Sequence, residues 1–295
     1  MKLRVGTRGS ELALKQTEWV CQQLRAAHPG LEIEQVIIKT HGDEVTDKNF
    51  GRDWPVGAFV KAIEQALLDK RIDFAVHSFK DLQTEETPGL VVAATPPREV
   101  VHDVLLTRTA KRLKDLPPGA QIGTNSPRRA AQLLEIGEFH IVPIRGNVPT
   151  RVAKIERENL DGVVLAAAGL KRLGLEHPRM IPMPVDTFVP AAGQGALAVQ
   201  TRTEGPAREI VAVLDDPDTH KAVSAERAVL RRINAGCHTP IGALATIVRK
   251  EITLHAKLFT NDYARKAEGV EGGTDPAAVG EDLADRLLAE LKEQS

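Results

Sequence analysis

Cysteine and aromatic residues are scarce in this chain of 295 residues. Its two cysteines, Cys21 and Cys237, cannot form a disulfide framework, and their separation is not that of a metal-binding motif. Aromatic residues make up 3% of the sequence, which argues against the stacking surfaces that bind single-stranded nucleic acid. We therefore expect no metal site and no nucleic-acid partner, and the cysteine usage fits the reducing cytoplasm.

The sequence also lacks an excess of charge and any long apolar run. The formal net charge is −1, so no overall field attracts the chain to nucleic acid or to an anionic membrane. The first residues, 1–8, lack the apolar core of a signal peptide, and no run approaches the roughly 18 apolar residues of a membrane span. We expect a cytoplasmic protein without a membrane partner, and we expect a monomer.

The sequence does contain a regular alternation of short Val- and Ile-rich runs with longer amphipathic stretches. This alternation is typical of α/β architecture with largely buried strands. The length predicts more than one domain. Proline-rich segments near residues 95–98 and 181–190 predict linkers between two α/β units, and the pattern from residue 217 onward predicts a smaller third domain.

The strongest local signal for a binding site is the segment 123–130. A predicted strand ends there and leads through Thr124 and Ser126 into a helix that begins with proline. The N–H groups of such a helix start, with Arg128 and Arg129 beside them, suit a carboxylate or a phosphate. Taken alone, the segment is equally consistent with an ordinary helix cap and two solvated arginines.

A similar arrangement recurs at the segment 144–151. Arg145, Asn147 and Arg151 surround a second strand end and a second helix start. Ligands of open parallel sheets bind at such strand ends. Two segments of the same kind strengthen the prediction of an anion site.

Two further strand ends carry charged residues. Arg8 follows the first predicted strand, just before a Ser10 helix cap. Lys80 and Asp81 follow another buried strand, where a Lys-Asp pair is most often a solvated ion pair of small energetic effect. Within a basic cleft, however, an ionised Asp81 could stabilise a cationic intermediate.

Cys237 lies in a turn bounded by glycine and proline, so its thiol could be accessible. A lone cysteine is usually a buried structural residue, and this holds more strongly for Cys21 on an apolar helix face. A papain-like nucleophile is disfavoured because the adjacent His238 cannot readily point back at the thiol. The remaining chemical use of an accessible Cys237 is the attachment of a group.

Taken together, these segments resemble the hydroxymethylbilane synthase family, also called porphobilinogen deaminase, across nearly the whole chain. The matching segments are residues 6–10, 75–81, 128–129, 145–151, 190–196 and 236–242. The resemblance implies a transferase that condenses four porphobilinogen molecules stepwise, with loss of ammonia, onto a dipyrromethane cofactor attached through Cys237. Hydrolysis would then release linear hydroxymethylbilane for tetrapyrrole, and so heme, biosynthesis, with porphobilinogen as the small-molecule partner.

The resemblance also implies roles for individual residues. It makes Asp81 the catalytic residue, which handles the pyrrole nitrogens as ammonia leaves. It assigns the cofactor to Cys237, Lys80, Thr124, Ser126, Arg128 and Arg129. It assigns the substrate to Arg8, Ser10, Arg145, Asn147, Arg151, Arg172 and Gln194. Because every pyrrole unit carries an acetate and a propionate, a set of cations of this size is physically reasonable.

The implied fold has three domains, the first two resembling the lobes of a periplasmic binding protein with mixed sheets, and the third a small α+β domain. We predict domain 1 over residues 1–96 plus 196–214, domain 2 over 101–190 and domain 3 over 217–295. Within the loop 44–57, residues 49–57 depart from the family pattern, since they lack the family's lysine and contain Trp54 and Pro55.

Two alternatives remain open from the sequence. Strand-end arginines on two lobes would equally serve a carboxylate-binding protein without catalysis. A diverged relative could also keep the fold and lose turnover through its altered loop. Asp81 and Cys237 are the residues that a simple binding protein would not need.

Overall fold

The computed structural model describes residues 1–38, 58–236 and 238–294. Cys237 and the predicted loop 44–57 therefore lie outside the described residues. The chain divides into two compact units. The first consists of Met1–Arg98 with Ala196–His220, and the second of Glu99–Gly195 with Lys221–Ser295.

The first unit, called the first lobe below, contains one five-stranded sheet. Its elements are β1 (Lys2–Thr7), α1 (Glu11–Ala27), β2 (Glu32–Ile37), α2 (Ala58–Leu68), β3 (Phe74–Ser78), β4 (Leu90–Ala94), β10 (Leu197–Arg202) and α6 (Pro206–Val211). The strand order is β2-β1-β3-β10-β4. Strands β1, β2 and β3 are parallel, and β10 is antiparallel to both of its neighbours.

Residues 99–195 of the second unit, called the second lobe, contain a sheet of the same plan. Its elements are β5 (Asp103–Thr107), β6 (Ala120–Gly123), α3 (Pro127–Ile136), β7 (Phe139–Val142), α4 (Val148–Arg157), β8 (Gly162–Ala166), α5 (Ala167–Leu173) and β9 (Met180–Pro182). The strand order is β7-β6-β8-β5-β9. Strand β5 takes the place of β10, because it is antiparallel to both β8 and β9.

Residues 221–295 of the second unit contain most of the predicted third domain. Strands β11 (Ile241–Val248), β12 (Glu251–Phe259) and β13 (Lys266–Gly273) make an antiparallel sheet. Helices α7 (Pro217–Arg232) and α8 (Pro276–Glu293) contribute to its apolar core with Val229 and Leu283. The α/β fold with three sheets is confirmed, whereas the exact domain boundaries stay a prediction.

The hydrophobic pattern explains which elements were predictable. In β3 four successive residues are buried, as expected for a strand covered on both faces, and α1 buries Val20 and Leu24 on one face. The strands predicted to end in the segments 123–130 and 144–151 are confirmed within a few residues as β6 and β7. Sequence reasoning missed β4, β5, β9 and β13. No helix among the described residues is long and apolar enough to cross a membrane.

Candidate functional site

In the first lobe, β1 ends at Thr7 and leads into a capped helix. The Ser10 hydroxyl accepts a hydrogen bond from the Ala13 amide at 3.3 Å, which confirms the predicted cap of α1. Arg8 is half-buried between the strand and this cap. The Ser10 side chain thus has a structural partner within its own helix.

The end of β3 places a carboxylate and an ammonium group on one short turn. Phe79 is buried, and its amide donates to the Ala196 carbonyl oxygen at 3.0 Å, which holds the turn Phe79–Asp81 on the start of β10. Lys80 and Asp81 are both exposed. A buried anchor and a held backbone therefore present these two charged groups from the carboxyl end of a parallel strand.

Behind this turn lies a buried polar network that sequence reasoning missed. His77 is 6% exposed, and burial, aided by the charge of Arg8, lowers its pKa to about 4 against an opposing effect of Gln200. The Gln200 side-chain amide donates to Glu64 at 2.9 Å, and the Thr87 hydroxyl donates to the same carboxylate at 2.8 Å. Neutral His77 adds no second cation beside Arg8.

In the second lobe, β6 ends at a chain of hydrogen bonds that begins α3. The Thr124 hydroxyl accepts from the Ser126 amide at 3.1 Å, and the Ser126 hydroxyl accepts from the Arg129 amide at 3.4 Å. Pro127 occupies the first helical position, as the sequence predicts. Thr124 is buried, so its side chain shapes the helix start from within.

The two arginines of this helix start are not solvated, so that alternative is wrong. Arg128 and Arg129 are 5% and 6% exposed. Both pair with Asp103, which is fully buried: the distances to its carboxylate are 2.8 Å from Arg128 and 2.7 Å from Arg129. Burial lowers the pKa of Arg128, and Asp103 opposes that shift. Sequence reasoning missed Asp103 because β5 itself was missed.

Gln194 and Arg172 hold the turn that leads into β10. Gln194 is fully buried, and its amide nitrogen donates to the Val101 carbonyl at 2.8 Å and to Asp103 at 3.1 Å. Arg172 is half-buried and donates to the carbonyl oxygen of Gly195 at 2.7 Å. Burial lowers the pKa of Arg172. Both side chains therefore support the backbone of residues 194–195.

The predicted second helix start, at α4, is confirmed. The Asn147 side-chain oxygen accepts from the amide and the hydroxyl of Thr150 at 2.9 and 2.7 Å. Gly146 adopts a φ of +115°, and a Cβ there would lie 2.7 Å from Thr150, so this turn requires glycine. Arg145 is exposed, and Arg151 donates to the Gly146 carbonyl at 2.7 Å. This strand end brings two guanidinium groups to a capped helix start.

A buried carboxylate of the third domain joins the turn at Gly193 to strand β11. Glu226, on α7, accepts from the Gly193 amide at 2.6 Å and from the Ala245 amide at 2.8 Å. Only the neighbourhood of Cys237 is described, and there the Gly236 amide donates to the Thr239 hydroxyl at 3.0 Å. The second lobe therefore contains a connected group of predicted site residues. Arg128, Arg129 and Gln194 contact Asp103, Thr124 and Ser126 form the helix start that carries the two arginines, and Arg172 holds the Gly195 carbonyl next to Gln194.

Cys21 lies in an environment that makes its thiol unreactive. Cys21 is fully buried on α1, and burial raises the pKa of its thiol to about 11. Its predicted role as an inert structural thiol is consistent with that environment. A covalently attached group would need the other cysteine.

Comparison with known proteins places these features in a family. A solved methionine-binding protein, MetQ, matches with a TM-score of 0.45 and 13% identity over 77% of this chain and 94% of that one. A porphobilinogen deaminase of Syntrophotalea carbinolica is 46% identical over 97% of this chain and 92% of its own length. One of Brevibacillus brevis is 43% identical over 98% and 94%.

Family descriptions cover nearly the whole chain. Residues 3–209 match the dipyrromethane cofactor binding domain of porphobilinogen deaminase. Residues 220–289 match the C-terminal domain of the same family. The first match contains the strand ends of both lobes, and the second contains Cys237. The chain therefore belongs to the porphobilinogen deaminase family.

Proposed function

We propose that this chain acts as a hydroxymethylbilane synthase, with a dipyrromethane primer attached through Cys237 and with Asp81 as the catalytic carboxylate. Family membership makes the chain a transferase that condenses porphobilinogen in tetrapyrrole synthesis. The observation that carries the proposed residue roles is the exposed Lys80–Asp81 turn at the end of β3. A binding protein has no evident use for an exposed acid among cations that bind carboxylates.

The residues present fit a cofactor rich in carboxylates. In the second lobe, Arg128 and Arg129 stand at the start of α3, whose Thr124 and Ser126 organise the N-terminal amides. These groups would hold acetate and propionate side chains, and we also assign Lys80 to the cofactor. When bound, the dipyrromethane supplies the terminal pyrrole carbon to which new units are joined. Its covalent bond to Cys237 keeps it in place through all of the additions.

Asp81 acts on the substrate that loses ammonia. Its exposed carboxylate accepts hydrogen bonds from pyrrole N–H groups and stabilises positive charge that develops on the ring. The adjacent Lys80 can bind a substrate or cofactor carboxylate at the same turn. His77 is buried and neutral, so it adds no positive charge to those of Arg8 and Lys80.

Several cations share the binding of the growing chain. We assign substrate carboxylates to Arg8, Arg145 and Arg151, and we assign Ser10, Asn147, Arg172 and Gln194 to the support of the backbone that surrounds the substrate. A hydrogen bond to a charged group contributes about 1.5–3 kcal/mol, so losing one arginine should weaken one step and leave the other pyrroles bound. We further infer that the enzyme works in the cytoplasm as a monomer, without nucleic acid.

The decisive measurement is the intact mass of the denatured protein beside that of a Cys237→Ser variant. A thioether survives unfolding, whereas a ligand that is merely bound does not. We expect an excess mass of two porphobilinogen units less two ammonias, present in the parent chain and absent from the variant. A parent chain that stays unmodified where porphobilinogen is plentiful would refute the proposal and favour a carboxylate-binding protein. Ammonia release from porphobilinogen would then distinguish a working enzyme from a relative that keeps the primer and lacks turnover.

A further inference from the structure

One end of the third domain's sheet is covered on both faces. Alternate residues of β12, among them Leu254 and Leu258, belong to the apolar core to which α8 contributes. Along the opposite face, burial increases from Thr253, which is exposed, through His255 to Lys257, which is 4% exposed. A buried lysine needs partners for its charge, and at this face they come from outside the sheet as well as from within it.

The Lys257 ammonium group is surrounded by acceptors. Its Nζ atom donates to the Glu135 carboxylate at 3.0 Å and to the Thr187 carbonyl oxygen at 3.1 Å, both in the second lobe. The Glu268 carboxylate of the neighbouring strand β13 lies 3.2 Å from the same atom. An ammonium group has three N–H bonds, so these three acceptors match its donors, and two of them belong to another domain.

Glu135 has a location that its own helix does not favour. It lies in the last turn of α3, where the helix dipole disfavours a negative charge. Lys257 and Lys266 of the third domain both pair with it. Burial acts to raise the pKa of Glu135, but hydrogen bonds from Lys266 and Lys257 lower that pKa overall. The third domain therefore stabilises a charge that the end of α3 alone would destabilise.

A second contact between the same two domains lies at the start of β11. The Ala243 amide donates to the Pro190 carbonyl oxygen at 2.9 Å. A Cβ at Gly242 would lie 2.5 Å from the Val189 carbonyl oxygen, so the strand approaches this backbone as closely as glycine allows. The segment 187–190 is therefore held by the third domain at both of its ends.

Helix α3 holds the same segment from the other side. Gln132 is fully buried, and its side-chain oxygen accepts from the Val189 amide at 2.6 Å. Its side-chain nitrogen donates to the Val189 carbonyl oxygen at 3.0 Å. Directional contacts thus join α3, the segment 187–190 and the third domain, and Lys257 contacts the helix and the segment at once.

We infer that Lys257 is a positioning residue, which fixes the third domain to α3 and to the segment 187–190. Cys237 precedes β11 in the sequence, so the contact fixes the strand that follows the attachment point of the primer. The third domain and the second lobe then act as one body while the bound chain grows. This inference rests on the proposed function and adds to it a residue of the third domain.

Lys257→Met tests the positioning role, because it removes the charge and keeps a side chain of similar length. We expect unchanged primer occupancy, a kcat for ammonia release that falls by about 10–100-fold, and a KM changed by less than about twofold, since a misplaced primer alters the reacting geometry more than substrate binding. Lys250→Met, at an exposed lysine of the same domain, is the matched control and should keep the kinetics of the parent. A kcat within about twofold of the parent, or a loss confined to KM, would overturn the inference.

A double variant separates positioning from two unrelated defects. Glu135→Gln removes the charged partner in the second lobe and should lower kcat as Lys257→Met does. Because the two substitutions break one contact, the double variant should be no slower than the slower single variant. Defects that multiply in the double variant would contradict the inference.

A covalent bridge tests the contact with the buried lysine left in place. Cysteines introduced by Glu135→Cys and Lys266→Cys are joined by a short bifunctional thiol reagent, and intact mass identifies the bridged chains. The bridged form should reach the kcat of the parent within about twofold, because the bridge holds the two domains as the ion pair does. A bridged form slower than its unbridged form would show that the domains have to separate, and the inference would fail. The parent treated with the same reagent controls for reaction at its own cysteines.

Amide exchange distinguishes this inference from the proposed function. The Ala243 amide, which donates across the two domains, should exchange faster in Lys257→Met than in the parent, while the amides that pair β12 with β13 stay protected. Equal exchange at Ala243 would contradict the positioning role. This measurement does not depend on the primer, so an unmodified parent would refute the proposed function and leave the contact at Lys257 still open to test.

Discussion

The two lobes follow one plan of strands and differ in the chemistry placed at equivalent points. Each has three parallel strands, then an antiparallel strand, then an edge strand. Asp103 begins the antiparallel strand of the second lobe opposite the last residue of β8, and Leu197 begins that of the first lobe opposite the last residue of β3. The position therefore does not require a carboxylate, and the second lobe has one because it holds arginines.

The first helices of the two lobes also differ in charge where they begin. Counting from the capping serines Ser10 and Ser126, the positions of Arg128 and Arg129 correspond to Leu12 and Ala13. The first lobe thus has the apolar residues Leu12, Ala13 and Leu197 where the second lobe has the ion-paired Arg128, Arg129 and Asp103. Conversely, the turn with Lys80 and Asp81 corresponds to the start of α5 with Ala168 and Gly169. At these points the second lobe has the Asp103 ion-pair cluster, and the first lobe has the exposed Lys80–Asp81 turn.

The largest effect is expected from removing the acid of the first lobe. Asp81→Asn keeps the shape of the turn and loses the charge that stabilises a cationic ring. We expect kcat to fall by about 10²–10⁴-fold, with KM changed by less than about threefold, measured as ammonia release from porphobilinogen. Asp69→Asn, at an exposed ion pair of the same lobe, is the control and should retain full activity. A kcat close to that of the parent would remove Asp81 from the mechanism.

The second-largest effect is expected on stability, when an aspartate is placed in the first lobe at the position equivalent to Asp103. Leu197 is 4% exposed, and Leu197→Asp would bury a carboxylate without the arginines that surround Asp103. We expect a loss of about 3–5 kcal/mol in the free energy of unfolding, followed by circular dichroism during denaturation. Leu197→Asn separates the charge from the change of shape and should lose less. Equal losses would show that an uncompensated charge is tolerated at this point of the plan.

The smallest effect concerns a buried histidine of the first lobe whose equivalent in the second lobe is a leucine. His77 lies at the position that Leu165 occupies in β8. Burial holds the pKa of folded His77 near 4, against 6.5 ordinarily, so the unfolded chain binds the extra proton between these values. The free energy of unfolding therefore has its full value above pH 6.5, where His77 is neutral in both states, and it decreases as the pH falls toward 4. At pH 5 the loss is about 2 kcal/mol.

His77→Leu should remove this part of the pH dependence, measured as the change in the free energy of unfolding between pH 7.5 and pH 5. His140→Leu, at an exposed histidine of the second lobe, should leave the dependence as it is in the parent. If His77→Leu keeps the slope of the parent, the acid sensitivity lies in other groups.

The features that sequence analysis predicted are those with local causes. The predicted helix caps at Ser10 and Ser126 depend on residues three positions away, and both are present. Asp103 could not be recognised, because it lies 26 residues from Arg129 and on a strand whose partner comes much later in the chain. Glu64 meets Gln200 across 136 residues for the same reason. Long-range partners of buried charges leave no periodic signal in a single sequence.

The positions of the antiparallel strands β5 and β10 in the sequence also affect how the chain folds during synthesis. All five strands of the second lobe lie within one continuous stretch, from Asp103 to Pro182. The first lobe needs β10, which is made after the second lobe, and among the described strands β4 pairs with β10 alone. The N-terminal lobe is therefore the last of the two to complete its sheet on the ribosome, and until then β3 keeps an open edge that must be protected from other chains.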